Sequence, residues 1–337
     1  MTKVLKILFI LLNYLTVNYL SLMAVKNLVI LGASGNVGKV VVPYLAKKGY
    51  HIKAVGRNKP NFDLENVENI GLDYDNQDDF NIVVAKSDAT LVLVGFEYKA
   101  KVWQEKWPKF TKMLVEACSK AKSKVVFFDN VYGYGLVAGK MTEESKLNAE
   151  TKKGLVRVEV QNILEEAQKK GEIKLVIAKS ADFYGPNINT SVLGDRFFDF
   201  IQTKNTVEIF GNQEKKHNYT YVLDIAPALE KLISSDQEGV FHLPTNIAKT
   251  GEEFASILEK ITHKNLKLTS LRQSTVFWLG FFIPILGELY EMMYQSENEY
   301  DFDSSKILKI FPDLKVTRYE EGFKTTLEYF EKMKKQS

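Results

Sequence analysis

The segment Gly32-Ala-Ser-Gly35-Asn-Val-Gly38 constrains this chain more than any other. It follows Asn27-Leu-Val-Ile-Leu31, an apolar run rich in β-formers, and precedes a helical pattern through Val40, Val41, Tyr44 and Leu45 that ends near Gly49. His51-Ile-Lys-Ala-Val55 then reads as a second strand. In this setting each glycine has a physical reason. Gly32 permits a tight turn, Gly35 lets backbone approach a pyrophosphate, and Gly38 lets the helix pack closely on the sheet. The helix start offers unpaired N–H groups and the positive end of a dipole. Three glycines alone are a weak signal; strand before and helix after make them a nucleotide loop. The candidate cofactor contacts are Gly32, Ser34, Gly35, Asn36, Val37 and Gly38.

Strand and helix signals keep alternating. A weak strand is expected near Val67–Leu72, and stronger ones at Thr90–Val94, Lys124–Phe128 and Leu175–Ala178. Helices are expected over about 102–121 and 154–170. This βα alternation implies an α/β fold with a doubly wound parallel sheet, the Rossmann arrangement, and a smaller mixed C-terminal lobe. The expected partition is 24–184 plus 219–246 for the nucleotide domain, and 185–218 plus 247–337 for a substrate lobe. Within the lobe, Thr275 to Leu286 is strongly apolar but broken by Gly280 and Pro284. It reads as a buried helix pair, or else as the wall of a substrate pocket or a subunit contact.

The end of the second strand sets the cofactor type. An Asp or Glu there would hold the ribose 2′-hydroxyl of NAD. Val55-Gly-Arg57-Asn-Lys59 has no acid, and Arg57 can hold a 2′-phosphate in a bidentate way. NADP(H) is therefore expected, with NAD as the alternative.

Composition excludes several classes. With 45% hydrophobic and 26% charged residues the chain is a packed globular protein rather than a disordered one. A net charge of +3, with Lys and Glu interspersed, gives no basic stripe for nucleic acid. The single cysteine, Cys118, forbids an intramolecular disulfide and lies in an apolar helical pattern, so it reads as core. The histidines have no metal-ligand spacing, and no metal is expected. Ile7 to Val25 is uncharged, behind Lys3 and Lys6. The expected strand at about Lys26 leaves no linker for a spanning helix, and Met23 opens a plausible start of its own. Residues 1–23 thus read as an extension outside the working protein, with a cytoplasmic location; a signal or anchor is the alternative.

Several ordered motifs carry a family resemblance. Leu72-Asp73, Phe127-Phe-Asp-Asn-Val-Tyr-Gly-Tyr-Gly135, Ala181-Asp-Phe-Tyr-Gly-Pro186 and Asn218-Tyr-Thr-Tyr-Val-Leu-Asp224 accompany the glycine loop in order. Together they resemble the extended short-chain dehydrogenase/reductase family, the group with NAD-dependent epimerases and dehydratases. The resemblance implies an adenine contact at Asp73 and a hydride transfer involving a carbonyl or hydroxyl of a small or sugar-like substrate. It also implies a homodimer. No membrane partner is expected unless residues 1–25 are a real anchor.

The departures bear on chemistry. The family usually has Ser or Thr at the end of strand five, then Tyr-x-x-x-Lys on the next helix. Here Asn130 stands at the strand end and Lys153-Gly-Leu-Val-Arg157 on the helix. Three readings stay open. Lys153 is the proton donor, with Arg157 anchoring the ribose; or Tyr132, Tyr134 or Tyr184 supplies a phenol from another direction; or the site binds cofactor without turnover. Asp129 or Asn130 is expected to face the pocket. The function expected is an NADP(H)-dependent oxidoreductase. A nucleotide-sugar epimerase or dehydratase, and a non-catalytic NADP(H) sensor, are the alternatives.

Overall fold

A computed structural model of the chain describes residues 25–189 and 191–336, so the reading of residues 1–23 lies outside the described residues. Seven strands form one parallel sheet: β1 (Asn27–Leu31), β2 (His51–Gly56), β3 (Val67–Gly71), β4 (Ala89–Val92), β5 (Lys124–Asp129), β6 (Leu175–Lys179) and β7 (Gly239–His242). Their spatial order is β7-β6-β5-β4-β1-β2-β3. The chain winds outward through β2 and β3, then returns to the other side of β1 at β4. That reversal opens a crevice beyond the carboxyl ends of β1 and β4, where such sheets bind ligands.

The strands are apolar because helices cover both faces. Helix α1 (Gly38–Lys47) and helix α5 (Val222–Ser234) pack on one face through Val41, Leu45, Ile225 and Leu229. Helices α2 (Gln77–Val84), α3 (Ala100–Ala121) and α4 (Lys152–Lys169) cover the other through Phe80, Phe110, Leu114, Val160 and Leu164. Cys118 is buried among these residues. The apolar spacings in α3 and α4 had located both helices to within about two residues. A separate apolar cluster forms the lobe, where Phe197, Phe198, Phe254, Tyr319 and Phe323 pack beside the paired strands Thr206–Phe210 and Lys267–Leu271. Among the described residues no helix is long and apolar enough to cross a membrane.

The helix pair expected over 275–286 exists as α6 (Gln273–Gly280) and α7 (Pro284–Tyr290), but it is not buried. Only Val276 of α6 and no residue of α7 is buried, while Trp278 is 68% and Phe282 83% exposed. Gly280 and Pro284 fold the run back on itself. A Cβ built on Gly280 would lie 3.0 Å from the Gly287 Cα, so the two helices meet backbone to backbone and their aromatic side chains face outward.

Inside the sheet lies a buried charge cluster. Asp129, at the end of β5, takes Arg157 Nη2 of α4 at 2.5 Å and Lys179 Nζ of β6 at 3.0 Å. Lys179 also donates to the Asn130 carbonyl at 3.3 Å. The Arg157 guanidinium lies 4.3 Å from the Trp107 ring centroid and 5.3 Å from that of Phe127. Burial alone would raise the Asp129 carboxyl, but the two cations outweigh it and hold the group below its usual value. Lys179 moves down, burial being the main cause, because one carboxylate serves two cations. Asp129→Ala leaves both cations buried without a counter-charge, which should cost about 3–5 kcal/mol. Urea unfolding measures it; a loss under about 1 kcal/mol, the scale of an exposed pair, would mean that the cluster is not a structural staple.

Candidate active site

The crevice at the switch point is a cleft of about 590 Å³. Gly32, Ser34, Gly35, Asn36 and Val37 line it from the β1 loop, and Gly56, Arg57 and Asn58 from the end of β2. Tyr74 follows β3, Leu93, Val94 and Gly95 follow β4, Phe128 is the next-to-last residue of β5, and Phe183 follows β6. Gly32 has φ +82°, and a Cβ there would lie 2.5 Å from the Leu93 carbonyl oxygen. A Cβ on Gly38 would lie 2.2 Å from the Ala33 carbonyl oxygen, so only glycine lets α1 start where it does. Helix α1 opens with no side-chain cap and no acid in its first turn, leaving its positive end to the cleft.

Tyr74 was not anticipated. Its hydroxyl accepts the Gly32 N–H at 3.0 Å and so braces the glycine loop from below. Burial, the largest cause, raises its pKa to about 12, so it remains a phenol. Its signal was local: buried Leu72 and Tyr74 flank exposed Asp73, the alternation of a strand end. Asp73 is placed differently from the expected adenine contact. It is exposed, and it lines a side recess with Arg57, Asp75 and Lys106 rather than the main cleft. Arg57 is exposed on the cleft rim, 6.0 Å from the Phe96 ring centroid, with no carboxylate in ion-pair distance among the described residues.

The residues aligned with the family's catalytic positions are engaged elsewhere. Lys153 is fully buried, and its Nζ donates to Glu288 Oε2 at 2.5 Å, the Glu288 carbonyl at 3.0 Å and Glu291 Oε1 at 2.6 Å. Glu288 also accepts the Ala100 N–H at 2.9 Å. Three acceptors occupy the ammonium, which differs from the expectation of a proton donor open to substrate. Arg157 lies inside the core on Asp129, enclosed by aromatic rings, so its placement differs from a ribose anchor. Asp129 likewise faces the interior rather than the pocket. Asn130 Oδ1 accepts the Tyr132 N–H at 3.0 Å and shapes the turn that follows β5.

That turn sorts the tyrosines. Tyr134 points inward, its hydroxyl 2.9 Å from His242 Nε2. Tyr184 is buried in the lobe core against Tyr319 and Phe323. Tyr132 is half-buried, stacks on Trp103 and accepts a hydrogen bond from the Tyr98 hydroxyl at 3.2 Å. Lys153 Nζ lies 4.6 Å from the Tyr98 ring centroid. Burial, then Tyr98 and the negative charge of Asp182, raises the Tyr132 phenol well above its ordinary value. Asp182 Oδ2 is 3.5 Å from His217 Nε2, and the His217 ring lies between Tyr219 and Tyr300. Tyr98, Asp182 and His217 come from three separate loops, and no spacing in the sequence linked them.

A switch-point cleft with a glycine loop defines a dinucleotide-binding protein of the Rossmann class. Residues 28–248 match the NAD dependent epimerase/dehydratase family. The chain belongs to that family. It is 21% identical over 257 residues to a dTDP-D-glucose 4,6-dehydratase of Dictyostelium discoideum, a match covering 66% of this chain and 59% of that relative's length. Among solved structures it resembles a dTDP-glucose 4,6-dehydratase from Bacillus anthracis in complex with NAD, with TM-score 0.75 and 15% identity over 92% of this chain and 98% of the other. It also resembles a UDP-glucuronic acid 4-epimerase from Bacillus cereus in complex with NAD, with TM-score 0.72 and 16% identity over 91% of this chain and 99% of the other. At these identities the two structures establish the fold.

His242 yields a pH prediction. Its Nδ1 is 2.8 Å from the Asp303 carbonyl oxygen, which can only accept, so Nδ1 carries the hydrogen and Nε2 accepts from Tyr134. Burial, the largest cause, lowers its pKa to about 3. The unfolded chain takes up a proton near pH 6.5 and the folded chain does not. This contribution is therefore complete above about pH 6.5 and is lost as pH falls toward 3, at up to about 1.4 kcal/mol per pH unit. Urea unfolding at stepped pH should give a steeper slope for the wild type than for His242→Gln. Equal slopes would contradict a neutral buried imidazole.

Proposed function

We propose that the chain binds NADP(H) in the switch-point cleft and acts as an oxidoreductase on a carbonyl or hydroxyl of a small or sugar-like substrate. The observation that carries the catalytic part is the Tyr98–Tyr132 phenol pair at the carboxyl edge of the sheet, where the aligned helix residues are occupied. The cofactor, when bound, supplies or accepts hydride. The glycine loop and the start of α1 hold its phosphates, and Arg57 takes the 2′-phosphate. Phe128 and Phe183, with ring centroids 6.2 Å apart, wall the cleft toward the reacting end.

Tyr98 donates its proton to the Tyr132 oxygen, so the Tyr132 proton is free to reach a substrate oxygen. A phenol whose pKa is raised keeps that proton at neutral pH, which suits protonation of a developing alkoxide. The lobe formed by 185–218 and 247–337 holds the substrate in this reading.

The relatives favour a second reading, a nucleotide-sugar epimerase or dehydratase, in which oxidised cofactor is regenerated within each turnover. Net consumption of NADPH with a carbonyl substrate supports the first reading; conversion of a nucleotide sugar with no net change in cofactor supports the second.

Calorimetry with NADPH and NADH tests the cofactor. NADPH should bind more tightly, and Arg57→Ala should weaken it by about ten- to a hundredfold while leaving NADH unchanged, as loss of a charged hydrogen bond implies. Equal affinities in the wild type refute the NADP(H) preference. Tyr132→Phe keeps the stacking on Trp103 and should lower kcat by about 10²–10⁴ with cofactor affinity retained. Unchanged kcat would remove Tyr132 from the chemistry.

A further inference from the structure

We infer that the α6–α7 hairpin seats the protein on a lipid bilayer surface. From Gln273 to Gly287 the chain carries no charge. Trp278, Phe281, Phe282, Ile283 and Ile285 are 68%, 69%, 83%, 43% and 49% exposed. A contiguous apolar tip of this kind, containing a tryptophan, is the composition of an interfacial membrane element. Its two helices are too short to span a bilayer and project their aromatic rings from a Gly280–Gly287 backbone contact.

One further observation selects a bilayer over a protein partner. The base of the hairpin carries three cations beside carboxylates that are already engaged, Glu288 and Glu291 by Lys153 and Glu297 by the Gln273 N–H. Arg272 immediately precedes α6, Lys101 adjoins Ala100, whose N–H meets Glu288, and the Lys152 N–H meets Glu291. None of these three side chains has an ion-pair partner among the described residues, so they are available to anionic headgroups beneath an inserted tip. The hairpin base supplies Glu288 and Glu291 to Lys153, so a seated hairpin fixes the candidate site close to the membrane.

The full chain has three tryptophans, of which Trp103 and Trp107 are buried and Trp278 is exposed. A change in emission on binding therefore reports the hairpin, because Trp103 and Trp107 are already buried, and not the N-terminal run, which has no tryptophan. Vesicles of phosphatidylcholine with phosphatidylglycerol should shift the emission to the blue, and acyl-chain bromination should quench it. The double variant Phe281→Ser, Phe282→Ser should lower the vesicle-bound fraction of the full chain at least tenfold, and circular dichroism should confirm its fold. Vesicle binding without a Trp278 shift would place the contact elsewhere and overturn the proposal. So would absence of binding, or a Trp278 already shielded before vesicles are added, which would mean that a second copy or the N-terminal run covers the hairpin.

Discussion

Arg157 and Lys153 stand one turn apart on the same side of α4, and carboxylates from different parts of the chain claim them. Asp129 reaches Arg157 from β5, and Glu288 and Glu291 reach Lys153 from the base of the hairpin. Lys153 and Arg157 are themselves buried, so either cation left without its carboxylates would remain an uncompensated buried charge. Helix α4 is thereby fastened both to the sheet and to the C-terminal segment. Lys179 joins the first pair and extends the fastening to β6.

The candidate site depends on this clamp. Asp129 ends β5, and its carboxylate accepts the Asn130 N–H; Asn130 then holds the turn that directs Tyr132 toward Tyr98 and Tyr134 toward His242. The turn therefore distinguishes two tyrosines only two residues apart, one beside Tyr98 and one enclosed by the core. The nucleotide cleft needs less from side chains. Its shape comes from backbone that approaches closely at Gly32 and Gly38, and from the divergence of β1 and β4. Cofactor site and candidate chemistry are thus built from different materials, loop backbone for one and side chains from scattered loops for the other.

Much of the fold was legible because its signals are local. Apolar runs of strand length, helical spacing in α3 and α4, and glycines at a strand-to-helix turn depend on neighbours within a few residues. The glycine loop, and the place of Arg57 on the cleft rim, were legible for the same reason. Tyr98, Asp182 and His217 were not, since their juxtaposition exists only once three loops meet. The hairpin misled for a related reason. An apolar run usually signals burial, but Gly280 and Pro284 turned this one onto itself, and nothing among the described residues covers its outer face.

By itself the sequence determined a parallel, doubly wound sheet and the place of its phosphate loop, because periodicity and glycine stereochemistry act along the chain. The family resemblance implied that Lys153 and Arg157 stand where the usual tyrosine and lysine do. Only the tertiary structure decided what those two cations do. A cation's role depends on which carboxylates share its low-dielectric surroundings, and here those lie at residues 129, 288 and 291, far apart in sequence and adjacent in the fold.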